Sequence, residues 1–397
     1  MNKKKIFGEI FTPVELINKM LDTLPAHVWS NPNLKWLDPC AGHANFPLII
    51  LQRLMDGLQD EIKDVEERKQ HILSKMLFLS ELQPESAQIC SDKEFNVYCG
   101  SYLDEGFNNH TKNVWGVEKF DIIVANPPYN EELINGRSTG SKSLWDKFVI
   151  KTLEQLNEAG FLVAVHPSGW RNVDGRFKKV QEKLRKRQIL SLEVHDEGDG
   201  QKTFGATTAY DFYCLQNVEP NVFTKIVCLD GTIERADISQ MEFIPNGMFD
   251  MFLNLLSNGG QETVNVIGNS SYHTQRPHML KEQTDEFKYP CIANVTLKGK
   301  LSCIWYSNVN NKGFFGIPKV IFGRRRSGVF LDLNGDFGLT QDTYGIVDEP
   351  KNFPFIQRAM LNPEFIKLMH NANFANIRYN NKVIAMFRKN FWEEFQP

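Results

Sequence analysis

The chain has 397 residues, with 45 lysines and arginines against 48 aspartates and glutamates, for a formal net charge of −3. That length predicts two or three domains with ample core, and 42% hydrophobic with 23% charged residues is the balance of a soluble globular protein. The slightly negative total excludes a globally basic nucleic-acid binder, so any basic surface has to be local. Seven cysteines, an odd number without a CxxC pair, predict reduced thiols, a cytoplasmic protein and no metal site. No apolar run approaches membrane-spanning length, and the basic first five residues lead into no apolar core, so neither a membrane span nor a signal peptide is expected.

Taken in order, Thr12-Pro13 predicts an N-cap with proline at the first helical position, followed by a helix burying Leu16, Met20 and Leu21. Residues 34–38 predict a short strand. Pro39 to Ala44 then form a tight loop of mostly small residues, which lets backbone approach a ligand closely, and an apolar helix starts near Phe46. The charged stretch 52–75 reads as a solvated amphipathic helix and connector. Residues 76–81 predict a buried strand ending on Glu81, placed to accept both hydroxyl hydrogens of a ribose. Residues 95–99 predict a third strand, with Ser101, Tyr102 and Asp104 in its turn.

Residues 120–125 predict a strand buried on both faces, because Ile122-Ile123-Val124 is β-branched throughout. It stops at Asn126-Pro127-Pro128-Tyr129, where two prolines leave rigid backbone without N–H groups. Asn126 is thereby held at the carboxyl end of a strand, where open α/β sheets place their chemistry. Its amide oxygen and the Pro127 carbonyl can accept both hydrogens of an exocyclic amine, and Tyr129 can stack on the ring that carries it. The polar, glycine-bearing stretch 130–142 reads as a loop able to close over substrate. A helix over 144–156 buries Trp145, Phe148, Val149 and Leu153. A strand over 160–168 carries His166 as a pocket wall rather than a base. The basic helix 176–187 fits either phosphates or plain solvent, and a strand follows over 190–195. Residues 202–209 predict a loop feeding an alternating strand that runs to Leu215.

From about Glu219 short β-like runs replace the strand–helix alternation, so domains are expected over 1–218 and 219–397, the second closed by helices from Phe353 onward. Residues 287–331 contain no acid but hold Lys298, Lys300, Lys319, Arg324, Arg325 and Arg326, the local electropositive surface that phosphate binding requires.

Asn126-Pro127-Pro128-Tyr129 resembles the catalytic motif of amino-methyltransferases that act on adenine N6 or cytosine N4 in DNA. The same tetrapeptide also occurs in RNA guanine and protein glutamine methyltransferases. Upstream, Phe11-Thr12-Pro13 resembles the gamma-type cofactor motif, and residues 38–46 resemble the family's Asp-Pro-x-x-Gly-x-Gly-x-Phe loop, with Ala44 at its second glycine. That motif order is the gamma order, and residues 313–322 resemble part of the recognition half of type IIG restriction–modification enzymes. The resemblance implies a Rossmann-like seven-stranded S-adenosylmethionine-dependent methyltransferase domain, followed by a mixed α/β target-recognition domain. It implies S-adenosylmethionine as cofactor, held by Phe11, Thr12, Pro13, Asp38, Pro39, Ala41, Gly42, Asn45, Phe46, Glu81, Ser101, Tyr102 and Asn126. Ser101 stands where the family has an aspartate, which leaves the acceptor for the cofactor's adenine open. Catalysis falls to Asn126, Pro127, Pro128 and Tyr129, with Tyr129 and Phe204 stacking on a flipped base. The implied activity is site-specific methylation of adenine N6 in double-stranded DNA. Cytosine N4, an RNA or protein amide, or a non-catalytic DNA-binding subunit are the alternatives. The cofactor motif lies so near the start that no nuclease domain is expected within the chain, and a separate restriction endonuclease is left open.

Overall fold

The computed structural model describes residues 12–130, 143–173, 175–268, 272–324, 328–373 and 379–396. Phe11, residues 131–142 of the expected closing loop, Arg325, Arg326 and Phe374 fall outside these. The chain divides into two compact units, Met1–Phe243 and Ile244–Pro397. No helix among the described residues is long and apolar enough to cross a membrane.

In the first unit the elements follow as α1 (Val14–Leu21), β1 (Trp36–Asp38), α2 (Asn45–Gly57), α3 (Val65–His71), β2 (Leu77–Glu81), α4 (Pro84–Asp92), β3 (Asn96–Cys99), α5 (Glu105–His110), β4 (Phe120–Ala125), α6 (Trp145–Gln155), β5 (Leu156–Pro167), α7 (Lys178–Arg185), β6 (Gln188–His195), α8 (Glu197–Phe204), β7 (Tyr210–Gln216), β8 (Thr224–Val227) and β9 (Ile233–Ala236). The strands form one sheet in the order β3-β2-β1-β4-β5-β7-β6-β8-β9. Strands β3 through β5 of that order run parallel. Ile122, Ile123 and Val124 are fully buried in its middle, as a β-branched run covered on both faces must be.

Two features of this topology place the site. The chain moves outward from β1 to β2 on one side and to β4 on the other, so a crevice opens at the carboxyl ends of these strands. Strand β7 is antiparallel to both β5 and β6, so its first residue, Tyr210, pairs with Pro167 and His195 at that same edge. Helix α8 and Phe204, which precede β7, are delivered there as well.

Three expectations change. The unit does not end at 218: β8 adds in parallel to β6, β9 closes on β8, and the chain stays with this sheet to Phe243. Thr12 does not cap α1: Pro13 is the cap residue and makes no side-chain cap hydrogen bond, and Ile17 N donates to Pro13 O at 3.0 Å. Residues 202–204, expected in a loop, end a helix over Glu197–Phe204, because the Asp196 carboxylate accepts the Asp199 N–H at 2.8 Å and Gly205 ends the helix in the left-handed region at φ 67°.

The second unit holds α9 (Phe249–Leu255), β10 (Asn265–Ile267), β11 (Met279–Leu280), β12 (Tyr289–Val295), β13 (Leu301–Ser307), β14 (Lys319–Gly323), β15 (Val329–Asp332), β16 (Gly338–Leu339), β17 (Thr343–Val347), α10 (Phe353–Leu361), α11 (Pro363–Asn371) and α12 (Asn381–Ile384). Its strands make two four-stranded sheets, β10-β17-β14-β15 and β11-β13-β12-β16. Phe365 packs on Tyr379, Phe387, Phe391 and Phe395 among the closing elements.

One buried ion pair anchors this unit. Lys319 and Asp332 face each other across β14 and β15, and their side chains are 0% and 1% exposed. Lys319 Nζ donates to Asp332 Oδ2 at 2.7 Å and to the carbonyls of Phe314 and Ile317 at 3.1 Å each. The other Asp332 oxygen accepts Asp336 N–H at 2.8 Å. All three ammonium hydrogens are used, and they hold a turn in which Gly313, Phe314 and Gly316 all have positive φ. Removing one partner of a buried pair costs about 3–5 kcal/mol, because the remaining charge is uncompensated. Lys319→Ala should therefore lower stability by that much in urea unfolding, whereas the exposed Lys298→Ala and Lys300→Ala should stay within about 0.5 kcal/mol of the parent. Equal effects would show that the pair contributes nothing.

Candidate active site

Strand β1 ends on Asp38, which is 4% exposed. One of its oxygens accepts Cys40 N–H at 3.0 Å. Burial raises its carboxyl to about 7, the negative charge of Glu81 adds to this, and the Cys40 N–H offsets it only in part. Glu81, at the end of the neighbouring β2, accepts Gly42 N–H through one oxygen and Gln83 N–H through the other, both at 2.8 Å. Two acids are thus packed at the mouth of the crevice, one of them stitched into the backbone of the small-residue loop.

That loop turns through Gly42 at φ 52° and Ala44 at φ 68°. Ala44 stands at the second glycine position of the sequence motif and is fully buried in the left-handed region. The strain of a Cβ there, roughly 1–2 kcal/mol, is offset by burying its methyl group against the core. Pro39, Ala41 and Phe46 are buried, and Gly42 and Asn45 half-buried, around the same turn.

Asn126 follows β4 directly and is half-buried. Its Nδ2 donates to Thr12 Oγ1 at 2.9 Å, and its backbone carbonyl accepts the Cys40 thiol at 3.2 Å. Burial, with the charges of Asp38 and Glu81, pushes that thiol well up, so it stays a donor. Asn126 Oδ1 has no hydrogen-bond partner among the described residues. Asn126, Thr12 and the 38–44 loop come together here from three separate stretches of sequence.

Tyr129 is braced by Leu144, whose N–H donates to its carbonyl at 3.1 Å. Its phenolic oxygen is buried without a hydrogen-bond partner. Burial, and then the charge of Asp211, push the phenol upward, so it stays neutral. The Tyr129 and Phe204 rings lie edge to face, 6.3 Å apart at 77°. A planar base between two facing rings needs about 7 Å, twice a carbon–carbon contact, so these rings must turn before both can stack on one base.

Behind them sits a polar layer that sequence alone does not reveal. Asp211 Oδ2 accepts from Arg171 Nε at 2.7 Å and from Trp170 Nε1 at 3.0 Å, with both charged groups almost fully buried. His166 is 0% exposed, stacked on Trp145 at 4.3 Å and bonded to Tyr213 at 3.1 Å. Burial lowers its pKa to about 4, so it is neutral and serves as a wall. Under Phe204, Tyr210 stacks on His195 at 4.4 Å and donates to Asp199 Oδ2 at 2.7 Å. His195 Nδ1 lies 2.6 Å from that same oxygen. The Asp196 cap and the Gly205 stop were the available signals for this helix.

Other predicted contacts are not where the sequence suggests. Tyr102 does not face a ligand: it is 2% exposed, its hydroxyl meets Thr152 Oγ1 at 3.3 Å, and Phe107, Phe148 and the Lys151 ammonium enclose its ring. Ser101 is half-buried, and its Oγ accepts Leu103 N–H at 3.3 Å, which leaves the acceptor for the cofactor's adenine open. Lys319 is no phosphate contact, because its ammonium is buried against Asp332. Lys298, Lys300 and Arg324 are exposed. A surface hollow of about 720 Å³ lies along α5 and α6, lined by Asn108, Lys147, Lys151 and Gln155 but by no residue of the catalytic turn.

The Eco57I restriction-modification methylase family matches residues 53–204. An uncharacterized adenine-specific methylase of Mycoplasma pneumoniae is 27% identical over 258 residues, which cover 46% of this chain and 60% of that protein. The modification methylase CviBIII of Paramecium bursaria Chlorella virus NC1A is 27% identical over 205 residues, 50% of this chain and 47% of that protein. The chain therefore spans about half the length of these curated relatives. Among solved structures, the type IIL restriction–modification enzyme MmeI in complex with DNA has a TM-score of 0.58 at 12% identity, over 96% of this chain and 68% of that one. The first unit carries the seven-stranded methyltransferase fold that the sequence predicts, with β8 and β9 added. The chain is similar to the methylases of restriction–modification systems, in sequence over residues 53–204 and in fold over nearly its whole length.

Proposed function

We propose that this chain transfers a methyl group from S-adenosylmethionine to N6 of adenine in double-stranded DNA. The observation that carries this is Asn126: its amide nitrogen is tied to Thr12, its amide oxygen has no hydrogen-bond partner among the described residues, and it stands at the end of β4 beside the buried acidic loop. The adenine-specific methylase name of one relative favours adenine over cytosine.

The donor set around the crevice fits the cofactor. Asp38 is a buried carboxyl that gains from a nearby cation, and Glu81 places an acceptor-only carboxylate at the end of β2, the group that ribose hydroxyls call for. When bound, S-adenosylmethionine would supply a methyl group on a positively charged sulfur. The target adenine has to leave the duplex stack before its amine reaches Asn126. Asn126 Oδ1 and the Pro127 carbonyl then accept the two N6 hydrogens, which aims the nitrogen lone pair out of the ring plane. Tyr129 supplies one stacking face and Phe204, once turned, the other. Nitrogen–carbon bond formation accompanies carbon–sulfur cleavage, and the surplus N6 proton leaves to water afterwards. Positioning and electrostatics carry the rate, and no covalent enzyme intermediate is needed. Lys298, Lys300 and Arg324 are the described candidates for phosphate contacts in the second unit, as a target-recognition domain would offer. The seven free cysteines suit a cytoplasmic enzyme.

The direct test is transfer of labelled methyl from S-adenosylmethionine to unmodified duplex DNA of mixed sequence, read by nucleoside mass spectrometry. N6-methyladenine is expected. N4-methylcytosine would change the base and keep the geometry, and no label in DNA would overturn the reading. Asn126→Ala should cut turnover at least about a hundredfold, the usual loss for one preorganised polar group at a reacting centre, while cofactor affinity stays nearly unchanged. Equal loss of both would assign Asn126 to cofactor binding alone.

Asp38 gives a pH dependence with a definite sign. Its carboxyl sits near 7 in the ligand-free fold, so a cationic ligand has to displace its proton below that pH. Affinity for S-adenosylmethionine should fall up to about tenfold per pH unit below 7 and level off above it. Asp38→Asn should bind weakly and without that slope. The same raised pKa favours the ligand-free fold at acid pH, a contribution lost as pH rises through about 7. Calorimetric titration from pH 6 to 8.5 reads the affinity, and a flat profile would overturn this role.

A further inference from the structure

Helix α1 leaves Thr12 free for another task. Pro13 takes the cap position, so the Thr12 hydroxyl has no N–H group of the helix to satisfy. It is 5% exposed and accepts from Asn126 Nδ2 at 2.9 Å, across 114 positions of sequence. The Cys40 thiol holds the backbone carbonyl of the same asparagine. Backbone geometry alone does not hold an asparagine amide still, because the torsion that turns its plane ends on an sp² carbon and has a broad, roughly two-fold profile. In Asn126 that plane matters, since Oδ1 has to point one lone pair at an amine hydrogen. No other described side chain bonds the Asn126 amide.

We propose that Thr12 is a positioning residue for the methyl transfer: its hydroxyl fixes the plane of the Asn126 amide, with Oδ1 turned toward the substrate amine. This rests on the methyltransferase reading and gives Thr12 a role in place of the cofactor contact that the resemblance implies for it. Without the hydroxyl the amide samples its whole torsional well, and only a fraction of bound substrate meets a correctly aimed oxygen. Affinity for the cofactor and the ability to flip a base do not depend on that plane.

The experiment compares the unaltered chain with T12V, which keeps the shape and loses the hydrogen bond, and with T12S, which keeps the hydroxyl. Three readouts are taken on each: single-turnover transfer to a methylatable duplex, S-adenosylmethionine affinity by calorimetry, and fluorescence of a duplex with 2-aminopurine at the target. T12V should transfer about tenfold more slowly, the equivalent of one neutral hydrogen bond, with cofactor affinity and 2-aminopurine signal within twofold of the parent. T12S should recover most of the rate. Transfer by T12V at the parental rate overturns the inference alone. So does a parallel fall in rate and cofactor affinity, which would make Thr12 a cofactor or packing residue, and so does a T12S variant as slow as T12V. No transfer by the unaltered chain overturns the methyltransferase reading and this inference with it.

Discussion

Two carboxylates buried side by side at the ends of β1 and β2 set the character of the crevice. A buried carboxylate is costly unless hydrogen bonds or a cation compensate it. Glu81 is compensated from within, by the N–H groups of Gly42 and Gln83. Asp38 accepts the Cys40 N–H, and burial beside Glu81 lifts its carboxyl to about 7. The loop between them has to bend sharply enough to deliver Gly42 to Glu81, and it does so through left-handed Gly42 and Ala44. The Cys40 thiol, kept protonated by burial and by the same two charges, reaches Asn126 O. The acidic loop and the Asn126–Tyr129 turn are therefore one hydrogen-bonded assembly rather than two neighbouring motifs.

Strand direction completes it. Were β7 parallel to β5, the segment before it would emerge at the opposite edge of the sheet. Because β7 is antiparallel, Tyr210 starts where Pro167 ends. Phe204 then lands against Tyr129, backed by Tyr210, His195 and Asp199. The second aromatic wall of the site depends on a pairing choice made between distant strands.

Legibility from sequence follows the range of the interactions involved. Strand β4 covers residues 120–125 as expected, because a β-branched run bounded by two prolines has few alternatives. The apolar face of α6 is likewise buried at all four expected positions, Trp145, Phe148, Val149 and Leu153. Thr12 went differently: a Thr-Pro pair carries a strong local capping signal, and a hydrogen bond to Asn126 took the hydroxyl instead. Helix α8 was hidden by the glycines of Gly198 and Gly200, although its Asp cap and Gly stop were both present. Gly200 is there for contact rather than flexibility, since a Cβ would meet Thr208 O at 2.1 Å. Lys319 shows the limit of counting charges along a segment. Its partner, Asp332, is the first acid after the acid-free stretch, and only strand pairing reveals that they face each other.

The titratable groups around the turn also agree with the chemistry proposed for it. A neutral amine attacking a positively charged carbon–sulfur bond needs no base beforehand, since the proton becomes acidic only after the nitrogen–carbon bond has formed. A site built for a base would hold an imidazole or carboxyl near neutrality within reach of Asn126. Instead His166 is fully buried and neutral between Trp145 and Tyr213. His195 lies between Glu193 and Asp199 under Tyr210, in a structural role. Asp211 is locked to Arg171 and Trp170. Asp38, raised to about 7, lies in the acidic loop, where a cation rather than an amine proton is to be met. What the turn offers the amine is two oxygens, one on a rigid proline and one on an amide held by a neighbour's hydroxyl, and that suffices when aim rather than proton removal limits the rate.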